Sequence, residues 1–424
     1  MSALDFAKAP ALARPLRWIM SAPVWGVLAG LWLLWRGPHL LIGRWMPETA
    51  ALAHLFALGV LGNAMFGALL QFLPVAVGCP LRLGRVADVL HAIFNLGLLA
   101  LAFGLATGNA PALAAAPFLL ASAPIGFAAA LPSLLRHGAL RAARGGIAFA
   151  LLALLCTATT GALAALVLRG DFALPLPPLV DSHAALGLLG WVLGLLAAVG
   201  SITQPMFQGA RRLPDRVLIG GFALAGLALG LGIAARSGAD SQTVLALALA
   251  LPGLLWVLAA AGPNRKRGAT LVHFWRAGAL ALGIACLIAP LVAMQRLPER
   301  AGLAAGALAL GAGFPLLVTG MMLEIVAFLA WIALRRACPR GVRVPGTGLL
   351  APEADKRLVL ALHLLSALAL TTATLWPDAL ARAAGGFMML AHAATLFFLV
   401  RTLRRARRFR DGLPSTVCSK EETQ

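Results

Sequence analysis

The chain has 424 residues, of which 61% are hydrophobic and 12% charged, with a mean hydropathy of +0.89 and a formal net charge of +20. A soluble domain of that length cannot solvate so apolar a surface, so lipid is the expected solvent for most of it. The positive charge does not point to nucleic acid, because the basic residues are spread over short polar segments with no interleaved recognition motif.

A helix that crosses a bilayer needs about 20 apolar residues. Twelve such runs are predicted, near 18–35, 50–75, 86–107, 112–135, 147–168, 182–206, 216–235, 243–262, 271–294, 302–334, 358–376 and 383–402. The first follows a basic stretch but has no small-x-small cleavage site, so it reads as a retained span. The tenth is long for one crossing; tilt, extension into water, or a break near Pro315 that would make thirteen spans are the open readings. With the amino terminus inside, the inner segments hold 27 Lys and Arg and the outer loops 7. That asymmetry predicts a bacterial-type inner (plasma) membrane protein with both termini cytoplasmic. The basic run from Arg401 to Arg410 reads as a stop-transfer anchor, with anionic headgroup binding as the second reading.

Three stretches look like copies of one pattern. They begin at Gly67, Ala198 and Gly320 and carry the polar positions Gln71, Gln204 and Glu324; the first two also carry Pro74 and Pro205. Arg85 and Arg216 follow those prolines at the same spacing, and Arg357 opens the segment after the third copy. Arg85 and Arg357 each precede a histidine, His91 and His363, by six residues. Such a repeat sets the architecture. The predicted fold is an all-α integral membrane protein of twelve transmembrane helices in three parallel four-helix repeats, pseudo-threefold. The units run about 17–143, 144–268 and 269–410 within one transmembrane domain (1–410), and 411–424 form a cytoplasmic tail. Four helices per unit is an even number, so the units insert in the same orientation, unlike inverted repeats.

Five cysteines, Cys79, Cys156, Cys286, Cys338 and Cys418, share no spacing and imply neither a disulfide framework nor a thiolate metal site. Six of eight histidines fall within or at the edge of spans, where a polar group is expensive and usually faces the bundle interior. His54 and His183 lie near the starts of the second and sixth spans. They precede the similar runs His54-Leu-Phe-Ala-Leu-Gly59 and His183-Ala-Ala-Leu-Gly187. A neutral imidazole suits haem iron or copper at low dielectric because it binds without bringing a charge. The bland alternative is a helix-end histidine bonded to a carbonyl or water. His392 follows Met388 and Met389 by one turn, a soft donor set for haem iron or Cu(I), although methionine in membrane helices is usually core filler. His91 and His363 share a register that suggests a structural role. His273 is expected near the inner boundary close to Arg276, and His39 and His137 in solvated loops. Glu324 reads either as a proton or cation handler or as the partner of Arg335, Arg336 or a neighbouring backbone. Asp88 and Asp181 are expected to cap helix starts.

Twelve spans in three quartets, with a histidine near the outer end of the second and sixth, resemble the catalytic subunit of haem–copper oxidases and its twelve-span relatives linked to nitric oxide. The run His54…Gly62-Asn63…Pro74 is similar to the family's second helix. The resemblance implies a low-spin haem b ligand at His54 and a copper ligand at His183. The family's haem histidines of the tenth span are absent, its register falling near Ala307. The copper histidine pair of the seventh span, the active-site tyrosine and the His-x-His-Glu-Met run are missing as well. Oxygen reduction by the family mechanism is therefore excluded. His392 or His363 is left to replace the missing partner of His54. The expected function is a haem-binding membrane protein, with copper as a second metal, that acts as a sensor, a tolerance factor or an electron-transfer partner. Two alternatives stay open: a cofactor-free transporter or channel using Gln71, Gln204 and Glu324, and an assembly partner of respiratory or nitric-oxide-linked membrane subunits.

Overall fold

The computed structural model describes residues 10–79, 81, 83–136, 140–235, 242–260, 262, 269–339 and 341–413. His137, Cys418, Arg82, the run from Arg265 to Arg267 and the tail from 414 onward lie outside the described residues. Among those described there are twelve long helices and no strand. They are α1 (Ala13–Leu41), α2 (Pro47–Val75), α3 (Val86–Thr107), α4 (Ala110–Leu135), α5 (Arg141–Leu168) and α6 (Leu176–Gln208). The remainder are α7 (Asp215–Ala235), α8 (Gln242–Ala260), α9 (Thr270–Ala293), α10 (Glu299–Ala337), α11 (Glu353–Ala373) and α12 (Pro377–Asp411). Eleven are long and apolar enough to cross a bilayer. The twelfth, α8, is a helix of 19 residues whose sequence is apolar from Val244 to Ala260. The chain is thus a multi-pass, all-helical protein in contact with lipid.

Several starts differ from expectation because proline initiates helices as well as ending them. Its fixed φ suits the first turn, where its missing N–H has no helical partner anyway. Pro177 and Pro178, ahead of the run expected near 182–206, open α6 at Leu176. Asp181 therefore sits inside the helix and pairs with Arg44 at 2.8 Å instead of capping it. Asp88 also forgoes the cap, pairing with Arg17 at 2.9 Å. The break considered near Pro315 is absent: α10 is continuous over 39 residues and absorbs the proline at the start of its α-helical portion.

Each helix packs against its ring neighbours in the order α1, α3, α4, α5, α7, α8, α9, α11, α12 and back to α1. Inside this ring stand α2, α6 and α10. In their most apolar stretches 78%, 61% and 72% of residues are buried, against 22% to 50% for the other spans. The interior therefore belongs to these three, and lipid to the rest. Phe66 of α2 anchors the centre, its ring 4.7 Å from Phe127, 5.4 Å from Phe94 and 5.7 Å from Trp191 of α6. Arg144, buried in the first turn of α5, donates to the carbonyls of Val77, Ser133 and Arg136 and ties three segments together.

Each inner helix contains one π-helical stretch near its start: Leu55–Gly62, Leu186–Leu193 and Ala307–Gly313. No other helix among the described residues has one. The π-helix is rare because its wide turn sacrifices backbone packing and hydrogen-bond geometry, and it collects at functional sites. The first two stretches are separated by the same spacing as Pro74 and Pro205. The fifth residue of each is glycine, and a neighbouring helix comes too close for a side chain there. A Cβ on Gly59 would lie 2.7 Å from Trp25, on Gly190 2.6 Å from Ala153, and on Gly311 2.2 Å from Leu370. In α2 the fully buried Asn63 compensates the widened turn, donating to the carbonyls of Gly59 at 3.0 Å and Leu58 at 3.3 Å.

Candidate functional site

The histidines fall into two clusters. In the first, His54 of α2 and His183 of α6 bring their rings to 5.8 Å between centroids, with planes 30° apart. Both sit just ahead of the π-helical stretches of their helices. His54 Nδ1 lies 2.7 Å from the carbonyl of Ala50, one turn earlier. His183 Nδ1 lies 3.0 Å from the carbonyl of Thr157 on α5. A carbonyl can only accept, so each Nδ1 carries the hydrogen, and in the neutral ring each Nε2 keeps its lone pair. A ring held through one nitrogen by a backbone carbonyl, with the other nitrogen free, is the usual state of a metal-ligating histidine. Gly161 of α5 seats the second ring: a Cβ there would lie 2.8 Å from His183 Cε1. Thr157 and Gly161 gave no hint in the sequence beyond a Thr and Gly one turn apart on a lipid-depth helix.

The second cluster lies between α1, α11 and α12. His363 and His392 meet edge to face, 4.9 Å between centroids and 82° apart, and both are buried. Thr395 Oγ1 donates to the Ala391 carbonyl at 3.0 Å, so it accepts from His363 Nε2 at 2.9 Å. His392 Nδ1 is buried with no partner. Its ring lies directly on Gly26 of α1, where a Cβ would be 2.2 Å from Cγ. Met388 is buried one turn earlier, while the backbone of Met389 packs on Gly30.

The structure brings His54 together with His183, and His363 with His392. It brings neither His363 nor His392 into ring contact with His54. Two imidazoles on opposite faces of one haem iron stand about 6 Å apart with the macrocycle between them, so His363 and His392 as they stand are too close for that role. The bare nitrogen of His392 suits a ligand, but the α1 backbone occupies the space against its ring. Two cavities, of about 390 and 60 Å³, lie elsewhere and no histidine lines them. The larger is apolar and lies among α5, α6, α7 and α8; the smaller sits on the axis between α2, α6 and α10.

The other polar positions have structural partners. His91 Nε2 lies 2.9 Å from Ser21 Oγ and its ring packs edge-on against Trp18. Asn95, one turn on, exchanges hydrogen bonds with Asn63 and accepts from Trp25 Nε1 at 2.5 Å. Glu324 pairs with neither Arg335 nor Arg336. It accepts from Lys356 Nζ at 2.5 Å, and Lys356 also reaches Glu353 at 2.7 Å. Lys356, in the first turn of α11, is itself buried. Gln71 is half-buried, and Gln204 Nε2 is buried without a partner. Neither glutamine nor Glu324 lines the axial cavity. His39 and His273 are exposed and Arg276 is half-buried. Among the described residues no three His, Cys, Asp or Glu converge as a metal cluster. Comparison with known protein families and with curated proteins finds no match.

Proposed function

We propose that the chain is a metal-binding multi-pass membrane protein of the haem–copper oxidase-like class, without oxygen-reductase activity, and that His54 and His183 hold its metal. The reading groups α1–α4, α5–α8 and α9–α12 into three parallel quartets, each giving its second helix to the interior. The π-helical stretches with glycine at their fifth residue support that grouping. The observation that carries the function is the approach of two carbonyl-anchored imidazoles, from helices far apart in sequence, each with a lone pair free. The donors fit either haem iron or copper, both of which accept neutral imidazole. Bound metal would supply a redox-active or ligand-binding centre; the chain's residues orient the two rings and keep hard oxygen donors engaged elsewhere. A macrocycle between His363 and His392 does not fit and is not part of the proposal.

The test is an absorption spectrum with metal analysis on the detergent-solubilised full chain, for wild type and for His54→Ala and His183→Ala. A Soret band or stoichiometric copper that disappears in both variants is expected. Wild type with neither would refute the reading. A cofactor-free transporter is the second reading, favoured by the unpartnered Gln204 amide and weakened by the neutralising Lys356 beside Glu324. Proteoliposome flux that falls in Glu324→Gln would support it. Respiratory or nitric-oxide-linked subunits are the partners this class suggests, and co-purification tests them.

A further inference from the structure

We propose that the groove among α5, α6, α7 and α8 holds one acyl chain of an anionic phospholipid, whose phosphate sits on the arginines at the groove's end. The groove has a volume of about 390 Å³, and apart from the indole N–H of Trp256 its lining is apolar side chains and glycine. It follows α7 from Val217 to Leu229, a run of about 18 Å at the helical rise. Volume over length gives a section of roughly 20 Å², the width of one extended hydrocarbon chain. The small residues Gly221 and Ala225 hollow its α7 wall, and a Cβ on Gly221 would meet nothing within 4 Å. Val217, Leu224 and Leu255 on its walls are 52%, 39% and 47% exposed. The groove is therefore open along its side, and a chain can enter laterally from the bilayer.

Apolarity alone does not choose an occupant, because an acyl chain gains no hydrophobic free energy in passing from lipid to protein. The polar groups at one end do. Leu213 lines that end; Arg211 and Arg212 precede it and Arg216 follows in the first turn of α7, all three exposed. The one carboxylate in this stretch, Asp215, reaches Arg212 at 3.7 Å, which leaves an excess of positive charge for a phosphate diester. The helices α7 and α8 are joined through six residues and pack side by side, so they run antiparallel and α8 ends beside these arginines. Trp256 lies four residues inside that end, about 6 Å. The six-membered edge of its ring faces Gly200 of α6, where a Cβ would lie 3.4 Å from Cη2. Its Nε1–H is shut away from solvent with no acceptor. A glycerophospholipid carries an ester carbonyl a few bonds below its phosphate, and an unmet buried donor gains most from such an acceptor. Phosphate, ester and chain thus meet arginine, indole N–H and apolar groove in the order the lipid presents them. No histidine lines the groove, so the site stands apart from both histidine clusters.

The experiment is native mass spectrometry of the full chain released from nanodiscs of equal parts phosphatidylglycerol and phosphatidylcholine. It is paired with crosslinking by phosphatidylglycerol that carries a diazirine on its acyl chain. One retained phosphatidylglycerol per chain is expected, in preference to phosphatidylcholine, with crosslinks on α7 and α8. Arg211→Gln combined with Arg216→Gln should lower that retention about 25-fold, at roughly fivefold for each basic residue near the headgroups. Trp256→Phe keeps an aromatic ring and removes the donor, and should weaken retention about fivefold. Ala225→Leu fills the groove and leaves the arginines in place, so the crosslinks on α7 and α8 should vanish. Arg404→Gln, an exposed arginine on α12, should change nothing. Should Ala225→Leu fail to fold, the exposed arginines and Trp256→Phe carry the test. Equal retention of the two lipids, undiminished retention in the double arginine variant, or an equal loss in Arg404→Gln overturns the proposal. Undiminished crosslinking in a folded Ala225→Leu, or displacement of the lipid by inorganic phosphate alone, overturns it as well.

Discussion

Replacing Lys356 by Met tests whether Glu324 is clamped or free to work. Lys356 joins three helices: its ammonium lies 2.5 Å from Glu324 of α10 and 2.7 Å from Glu353, which in turn accepts from Thr270 N and Oγ1 of α9 at 3.0 and 2.5 Å. The lysine side chain is 6% exposed and that of Glu324 15%, whereas Glu353 is 48% exposed. Removing the lysine leaves Glu324 as a buried charge with its partner gone, a loss of roughly 3 to 5 kcal/mol for a buried pair. The lower end applies, about 3 kcal/mol, because Glu353 reaches solvent and keeps its Thr270 bonds. Glu324→Gln alone gives up a charge-assisted bond but strands no carboxylate, and should cost about 1 to 2 kcal/mol. The double variant removes both charges together, so it should be about 2 kcal/mol more stable than the sum of the singles. Unfolding of the four forms in mixed detergent, followed by far-ultraviolet dichroism, measures this coupling. Strict additivity would show that the lysine and the glutamate do not interact, and would return Glu324 to the list of residues free to carry protons.

Other substitutions probe close helix approaches and the π-helical turn. Gly26→Ala should cost about 1 to 3 kcal/mol, because its Cβ would fall 2.2 Å from His392 Cγ. Adding His392→Ala should restore part of that loss in the same unfolding assay. Gly385→Ala should be worse, above about 3 kcal/mol, since its Cβ would meet Leu34 N at 2.3 Å and backbone cannot step aside. Gly145→Ala, with open space around it, should be neutral or gain up to about 1 kcal/mol, the helix-propensity difference. Asn63→Leu strips the bonds to Leu58, Gly59 and Asn95 and should cost about 2 to 3 kcal/mol. Hydrogen exchange at the amides of residues 58–66 should rise with it.

Runs of apolar residues told where helices lie, because a chain in lipid satisfies its backbone within each helix and the requirement is local. The long second, sixth and tenth runs, and the placement of His54, His392 and Glu324 on helices, were all legible in that way. Starts were less so: Pro177 and Pro178 punctuate a loop or open a helix equally well, and only the packed α6 decides. The π-helical stretches were invisible, since one extra residue per turn leaves no mark in composition; the recurring glycines at 59, 190 and 311 have a reason only once Trp25, Ala153 and Leu370 press on them. Which imidazoles meet was a matter of tertiary structure alone. Helix neighbours in a bundle are chosen by shape and by small residues at the crossings. The close contact of α1 with α12 through Gly26, Gly30 and Gly385 sets His392 beside His363, while α2 and α6, side by side in the interior, bring His54 to His183.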